Sequence, residues 1–192
     1  MVLIDDNSTA LQIGDPLPFF GLPATDGMTV DIGMIRDPIL VVVFTCNHCP
    51  YAQAYEDRLI ALAEHFDEEG VQFVAINSND SENYPEDSFD RMKVRHNEKE
   101  FPFPYCHDES QEVARTFGAV CTPHCFVFAR PDSSVGGHTR VLKYKGRIDD
   151  SWKDAAAATE HNLRDAIEAL VHGEEPPVHE ANAIGCSIKW RT

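Results

Sequence analysis

Ile39-Leu40-Val41-Val42-Val43-Phe44-Thr45-Cys46-Asn47-His48-Cys49-Pro50 is the stretch on which the reading of this chain turns. Its first six residues are apolar, mostly β-branched and uninterrupted, the pattern of a central strand buried on both faces. After Pro50, Leu59, Leu62, Ala63 and Phe66 recur at helical spacing, with Glu56, Asp57, Arg58 and Glu64 between them. Two cysteines two residues apart, where a strand ends and a helix begins, read as a redox dithiol. A helix N-terminus offers unpaired N–H groups and the positive end of the helix dipole, and both stabilise a thiolate. A protonated His48 adds a positive charge between the sulfurs. On this reading Cys46 is the exposed nucleophile at the cap and Cys49 the resolving thiol one turn in. The competing readings are a metal half-site, for which Cys121, His124 and Cys125 form a loose second ligand group, and an inert pair. The strand–Cys-x-x-Cys–helix context favours redox chemistry, with no metal or other cofactor expected.

The surrounding sequence extends this unit into an α/β chain. Residues 1–38 read as an N-terminal extension that forms a β-hairpin on the domain edge, with Asp26-Gly27 as turn signal and Met28–Ile32 alternating like a strand. The helix after the dithiol is expected to reach about Glu69, with Gly70 at its C-cap. Val71–Ile76 is the next strand. The polar loop Asn77–Ser88 leaves that strand's end and so can lie beside the dithiol. Ser88 is a candidate cap for a helix to about Lys99, Phe101–Tyr105 is a short extended piece, and Glu109–Phe117 a short helix ended by Gly118. Cys125–Ala129 and Val141–Lys145 read as an antiparallel pair around the turn-rich Pro131–His138. Leu163, Ala166, Ile167 and Leu170 form the apolar stripe of a last helix, expected over Asp154–His172. Residues 174–192 form a tail with few core signals.

Bulk properties narrow the function. A chain of 192 residues suits a single domain over 1–192 with a proper core. Its net charge of −16 disfavours nucleic acid and anionic membrane surfaces, because phosphate binding needs Lys and Arg. No run of about 18 apolar residues exists to cross a membrane. Met1–Asp6 lacks a basic and then apolar leader pattern, so a cytoplasmic location is expected.

The order hairpin–β–α–β–α–α–β–β–α, with Cys-x-x-Cys after the first core strand, resembles the thioredoxin fold: three layers, a central mixed sheet flanked by helices. In that fold a cis-proline precedes the penultimate strand and faces the dithiol, which Thr122-Pro123 matches. The whole chain also resembles the redoxins of the alkyl hydroperoxide reductase and thiol-specific antioxidant family. It is most similar to a peroxiredoxin-like group marked by Cys46–Tyr51, Ala75–Asp80, Tyr84–Asp87 and Gly185–Trp190. Two departures weigh against a peroxidase. Peroxiredoxins place Thr or Ser three residues before the peroxidatic cysteine, which aligns with Cys49, and here that place holds Cys46. They also use an Arg near the position of Thr122-Pro123, and none stands there. Arg115, Arg130 and Arg147 are the nearby candidates for a substitute. Against thioredoxin, Thr45 replaces the usual Trp, and Leu40 the acid that assists proton transfer; Asp80 or Glu86 from the loop are candidate replacements.

The resemblance implies a thiol–disulfide oxidoreductase with Cys46, Cys49 and His48 catalytic, and Thr122, Pro123, Thr45 and Asn77 contacting substrate. The partners expected are a disulfide-containing protein or small thiol substrate and a separate reductant, with no oligomeric state assigned. The alternatives are a peroxiredoxin-like peroxidase, and a copper- or zinc-binding protein of the same fold using Cys46, Cys49 and a histidine. Cys106 and Cys125 are expected to be inert, Cys121 to point away from the dithiol, and His124 to be a solvated loop residue. Cys186 is left either as packing or as a third redox thiol.

Overall fold

In the computed structural model, which describes residues 10–131 and 139–191, the apolar run is β3 of a five-stranded sheet. The first nine residues of the N-terminal extension, residues 132–138 of the expected turn, and Thr192 lie outside the described residues. The elements run β1 (Gly21–Pro23), β2 (Thr29–Asp31), β3 (Ile39–Phe44), α1 (Pro50–His65), β4 (Val71–Asn77), α2 (Phe89–Lys99), β5 (Tyr105–His107), α3 (Glu112–Phe117), β6 (Cys121–Thr122), β7 (His124–Ala129), β8 (Val141–Gly146), α4 (Asn162–Val171) and β9 (Cys186–Ser187). The sheet order is β5-β4-β3-β7-β8, with β3, β4 and β5 parallel and β7 and β8 antiparallel to their neighbours.

The unbroken apolar character of β3 follows from its place at the centre. Successive side chains point to opposite faces, so Ile39, Val41 and Val43 enter one core and Leu40, Val42 and Phe44 the other. The first core is closed by α1, α2 and α4 through Tyr55, Leu59, Met92, Leu163 and Ile167. The second is closed by the hairpin β1–β2, α3 and the C-terminal tail through Phe20, Leu22, Phe117, Ile188 and the half-buried Trp190. Phe117 meets Phe20, Phe44, Phe126 and Phe128 edge-on at centroid distances of 5.9, 5.3, 5.3 and 5.7 Å. The hairpin reaches the sheet edge, where Ala24 bridges Cys106 of β5, and also covers the sheet face.

Four sequence expectations are corrected. The helix after the dithiol stops at His65; a separate 3-10 turn, Asp67–Glu69, leads to Gly70 in the left-handed conformation. The last helix begins at Asn162, not Asp154. Ala155–Ala157 form only a 3-10 turn, exposed and without an apolar stripe, while Thr159 and Glu160 donate their backbone N–H groups to Asp150. His124 is not in a solvated loop: it opens β7, opposite Phe44, and is buried. The tail carries more structure than its composition suggests, because Ala183 and Ile188 are buried and β9 pairs with β6.

Candidate active site

The sulfurs of Cys46 and Cys49 meet where β3 ends, at the mouth of α1 and against the β6–β7 bend. Cys49 is the N-cap of α1 and Pro50 its first residue, a position where the missing N–H of proline costs nothing. The expectation that Cys46 sits at the cap is therefore corrected by three residues. Nor is Cys46 an exposed sulfur: its residue is 2% exposed and Cys49 0%. The Thr122–Pro123 bond is cis. Thr122 contacts both cysteines, with its hydroxyl 3.2 Å from Cys46 Sγ and its carbonyl oxygen 3.2 Å from Cys49 Sγ.

The two thiols are shifted in opposite directions. A hydrogen bond to Cys49, burial and the charge of Asp87 push the Cys46 thiol well up, against a smaller opposing effect of the Thr122 hydroxyl. The hydrogen bond from Cys46, a second from Cys186 and the backbone N–H of Ala52 pull Cys49 well down, against its burial. The Thr122 carbonyl works the other way, since it accepts from a thiol and repels a thiolate. The N-terminus of α1 adds its dipole, which favours negative charge at the Cys49 sulfur.

His48 and Asp87 form the polar side of the site. His48 Nδ1 lies 2.5 Å from Asp87 Oδ2, and its ring stacks on Tyr84 at 5.4 Å. Asp87 is fully buried and accepts from the Asn47 backbone N–H (2.7 Å), Asn77 Nδ2 (3.2 Å) and Asn79 Nδ2 (2.8 Å). Such convergence satisfies the hydrogen-bonding capacity of a buried carboxylate. Asp87 comes from a 3-10 turn, Pro85–Asp87, so the loop after β4 does supply a carboxylate beside the dithiol. It is neither of the two candidates read from sequence. Asp80 turns to Asn83 and Arg191, and Glu86 contributes its carbonyl oxygen to Asn47. The available signal was the alternation Asn77-Ser78-Asn79 at a strand end facing an Asp ahead of a helix cap.

The remaining expected site residues are spread around this centre. Asn77 is fully buried behind Asp87, where it holds the carboxylate. Thr45 is buried, donates its backbone N–H to Ile76 and borders a small apolar void with Phe101 and Phe103. A cleft of about 330 Å³ opens beside His48, lined by Asn47, Gln53, Glu86, Arg91 and Arg95. Arg95 is held there by a bidentate pair with Glu56, at 2.9 and 2.6 Å. Arg115 stacks over Trp190, Arg130 donates to the Arg36 carbonyl, and Arg147 binds Asn162 and Glu160. All three arginine candidates are thus engaged elsewhere. Cys106, Cys121 and Cys125 are buried thiols, the first two pushed up to about 12 chiefly by burial.

One donor set among the described residues could hold a metal: Cys46, His48 and Asp87, whose ligand atoms lie within 4.8 Å of one another. One thiolate, one imidazole and one carboxylate are ligands zinc accepts. This is not the Cys46–Cys49–His set expected from sequence.

The fold and the site together define a thioredoxin-like redoxin. The pattern of the AhpC/TSA family matches residues 13–144, and the chain belongs to that family. It is accordingly an oxidoreductase of the redoxin class. An uncharacterized conserved protein from Geobacillus kaustophilus is 38% identical, with a TM-score of 0.87 over 100% of this chain and 97% of that one. A hypothetical protein from Sinorhizobium meliloti is 32% identical, with a TM-score of 0.86 over 95% and 97% of the two chains. Peroxidoxin BcpB from Mycobacterium tuberculosis shares the fold at 19% identity, with a TM-score of 0.58 over 74% of this chain and 90% of that one. None of the curated proteins matches the chain. No helix among the described residues is long and apolar enough to cross a membrane.

Proposed function

We propose that this protein is a thiol–disulfide oxidoreductase in which Cys46 and Cys49 cycle between dithiol and disulfide. The observation that carries the proposal is the packing of the two cysteines together at the N-terminus of α1, with Thr122 of the cis bend touching both sulfurs. We assign the attack to Cys49, supported by its place at the N-cap of α1, where the sequence reading had Cys46. The Cys49 thiolate attacks one sulfur of a substrate disulfide, a mixed disulfide forms, and the other substrate sulfur leaves as a thiolate and takes a proton. Cys46 then gives up its proton and attacks the Cys49 sulfur. The Cys46–Cys49 bond forms, the mixed disulfide breaks, and the substrate leaves fully reduced with two electrons from the dithiol. The interaction with Cys49, burial and the charge of Asp87 all hold the Cys46 thiol up before that step. His48, bonded to Asp87 and partly exposed, is the group placed to carry the proton to solvent. An external thiol reductant restores the dithiol. Disulfide-bearing proteins or small disulfides are the substrate class, in a cytoplasmic, single-domain enzyme.

A second reading, peroxide reduction at Cys49, is favoured by one observation: Cys49 is the N-cap of α1. Against it, the three candidate arginines are engaged elsewhere. Stopped-flow assays with a disulfide and with hydrogen peroxide on wild type, Cys46→Ser and Cys49→Ser decide between them. Disulfide exchange is expected to stop in both variants, with a substrate mixed disulfide trapped on Cys49 of Cys46→Ser. Rapid peroxide consumption that survives Cys46→Ser and vanishes in Cys49→Ser, with disulfide exchange slow in wild type, would establish the peroxidase reading instead.

A further inference from the structure

The structure places a third thiol on the dithiol. Cys186 of β9 is the Cα partner of Thr122, the residue whose hydroxyl and carbonyl touch both site sulfurs. It packs against the small cluster of Cys46, Cys49 and Ala52, together with Tyr51. It reaches that cluster from β9, a different element from those that carry Cys46 and Cys49. The tail that carries it is tightly seated: a Cβ on Gly185 would lie 2.1 Å from the Thr122 carbonyl oxygen. The Lys189 N–H donates to Asn79 Oδ1, and the Arg191 N–H to Gln111 Oε1. Unlike Cys46 and Cys49, Cys186 is not buried; it is the site cysteine that solvent reaches. A cysteine that only fills space needs neither that exposure nor a contact with the reactive sulfur.

We propose that Cys186 is a third exchange thiol that moves the disulfide from the buried Cys46–Cys49 pair to a position open to reductant. This rests on the Cys46–Cys49 reading above. With Cys46 and Cys49 joined, Cys186 releases its proton to solvent and its sulfur attacks Cys49 Sγ. The Cys49–Cys186 bond forms and the Cys46–Cys49 bond breaks. The electron pair leaves on Cys46 Sγ, which takes up a proton. One thiol is consumed and one regenerated, so the step needs no outside oxidant or reductant. An external thiolate then attacks the half-buried Cys186 sulfur and expels Cys49 as a thiolate, which takes up a proton. A second external thiol frees Cys186 from the mixed disulfide that results. Cys186 is the more open of the three, so an attacking thiol meets it more readily than either sulfur of the Cys46–Cys49 pair.

The test is disulfide mapping on the full chain. Wild type, Cys46→Ser and Cys186→Ser are reduced, oxidised with one equivalent of diamide, alkylated and digested for mass spectrometry. Their re-reduction by glutathione is then followed. Wild type is expected to hold both Cys46–Cys49 and Cys49–Cys186 bonds, Cys46→Ser the second alone, and Cys186→Ser the first alone. The last variant should also be re-reduced more slowly than wild type. A wild type with Cys46–Cys49 but no Cys49–Cys186 bond, and a Cys46→Ser that forms none, overturns the relay and leaves the dithiol reading standing. Absence of both bonds overturns both. Re-reduction of Cys186→Ser at the wild-type rate also overturns the relay.

Discussion

Replacing Asp87 by Asn changes almost no volume but reverses one half of a fully used hydrogen-bonding site. In the native protein every partner of the carboxylate is a donor: Asn47 N–H and Asn77 Nδ2 on Oδ1, His48 Nδ1 and Asn79 Nδ2 on Oδ2. An Asn whose oxygen keeps the first two partners turns its NH₂ toward the other two. His48 can adapt by shifting its tautomer, since Nδ1 then accepts. Asn79 cannot, because turning its amide over would remove the oxygen that accepts from Lys189 N–H and holds the tail. One buried amide is therefore left facing another donor, at about 1–3 kcal/mol, and hydrogen bonds to a charged acceptor give way to neutral ones. The expected loss is about 2–5 kcal/mol of stability. Removing the charge also takes away one of the influences that raise the Cys46 thiol, so that thiol should ionise at lower pH. The assay is urea unfolding of the reduced protein at neutral pH, read with ultraviolet titration of the thiolates. A loss below about 1 kcal/mol at unchanged m-value, or a thiol titration identical to wild type, would refute the reasoning.

Three further outcomes are expected. Phe117→Ala, which empties the space between four phenylalanines, should cost about 3–5 kcal/mol in urea unfolding; a cost under about 1 kcal/mol would contradict the tight packing described. His124 is pushed down to about 3 by burial and then by the charge of Lys145, and its Nδ1 has no hydrogen-bond partner. The unfolded chain takes up that proton below about pH 6.5 and the folded one only near 3, so stability present above 6.5 drains as the pH falls across that window. The one proton contributes a slope of about 1.4 kcal/mol per pH unit, and His124→Leu should remove that part of the slope; an unaltered slope in urea midpoints taken across the window would be the contrary result. Gly185→Ala drives a Cβ into the Thr122 carbonyl and should lift β9; losing one or two backbone hydrogen bonds, about 1 kcal/mol each, should speed alkylation of Cys49 by about tenfold, and an unchanged rate would show that the tail does not cover the site.

The parts of the fold that were legible are those where one segment states its own environment. The run Ile39–Phe44 is buried on both faces and therefore apolar throughout, and α1 shows its stripe at once. Thr122-Pro123 stood out through the resemblance to the thioredoxin fold, which places a proline just before the penultimate strand, and the bond is cis. Sequence reading failed where a role depends on partners far along the chain. Asp87 looks like any loop acid until Asn47, Asn77 and Asn79 converge on it. Cys186 lies in a polar tail, and only its register opposite Thr122 brings it to Cys49. The start of α4 was placed too early because alanines carry high helix propensity, and the contacts that hold Thr159 and Glu160 on Asp150 leave no trace in periodicity. The cap of α1 was misplaced for a simpler reason: Pro50 fixes the first turn one residue after Cys49, which makes Cys49 the cap.

The seating of β9 over the bend at Thr122 has a consequence for biosynthesis. The strand that finishes the site is made after every other element described, while Cys46 and Cys49 emerge early with β3 and α1. A chain folding as it leaves the ribosome completes its N-terminal parts first, so the dithiol waits uncovered until residues 183–191 arrive and dock. During that interval both thiols are open to stray oxidants and to metal ions that the finished protein keeps at a distance. Docking of the tail is thus the step that converts a generally reactive pair of cysteines into a selective one.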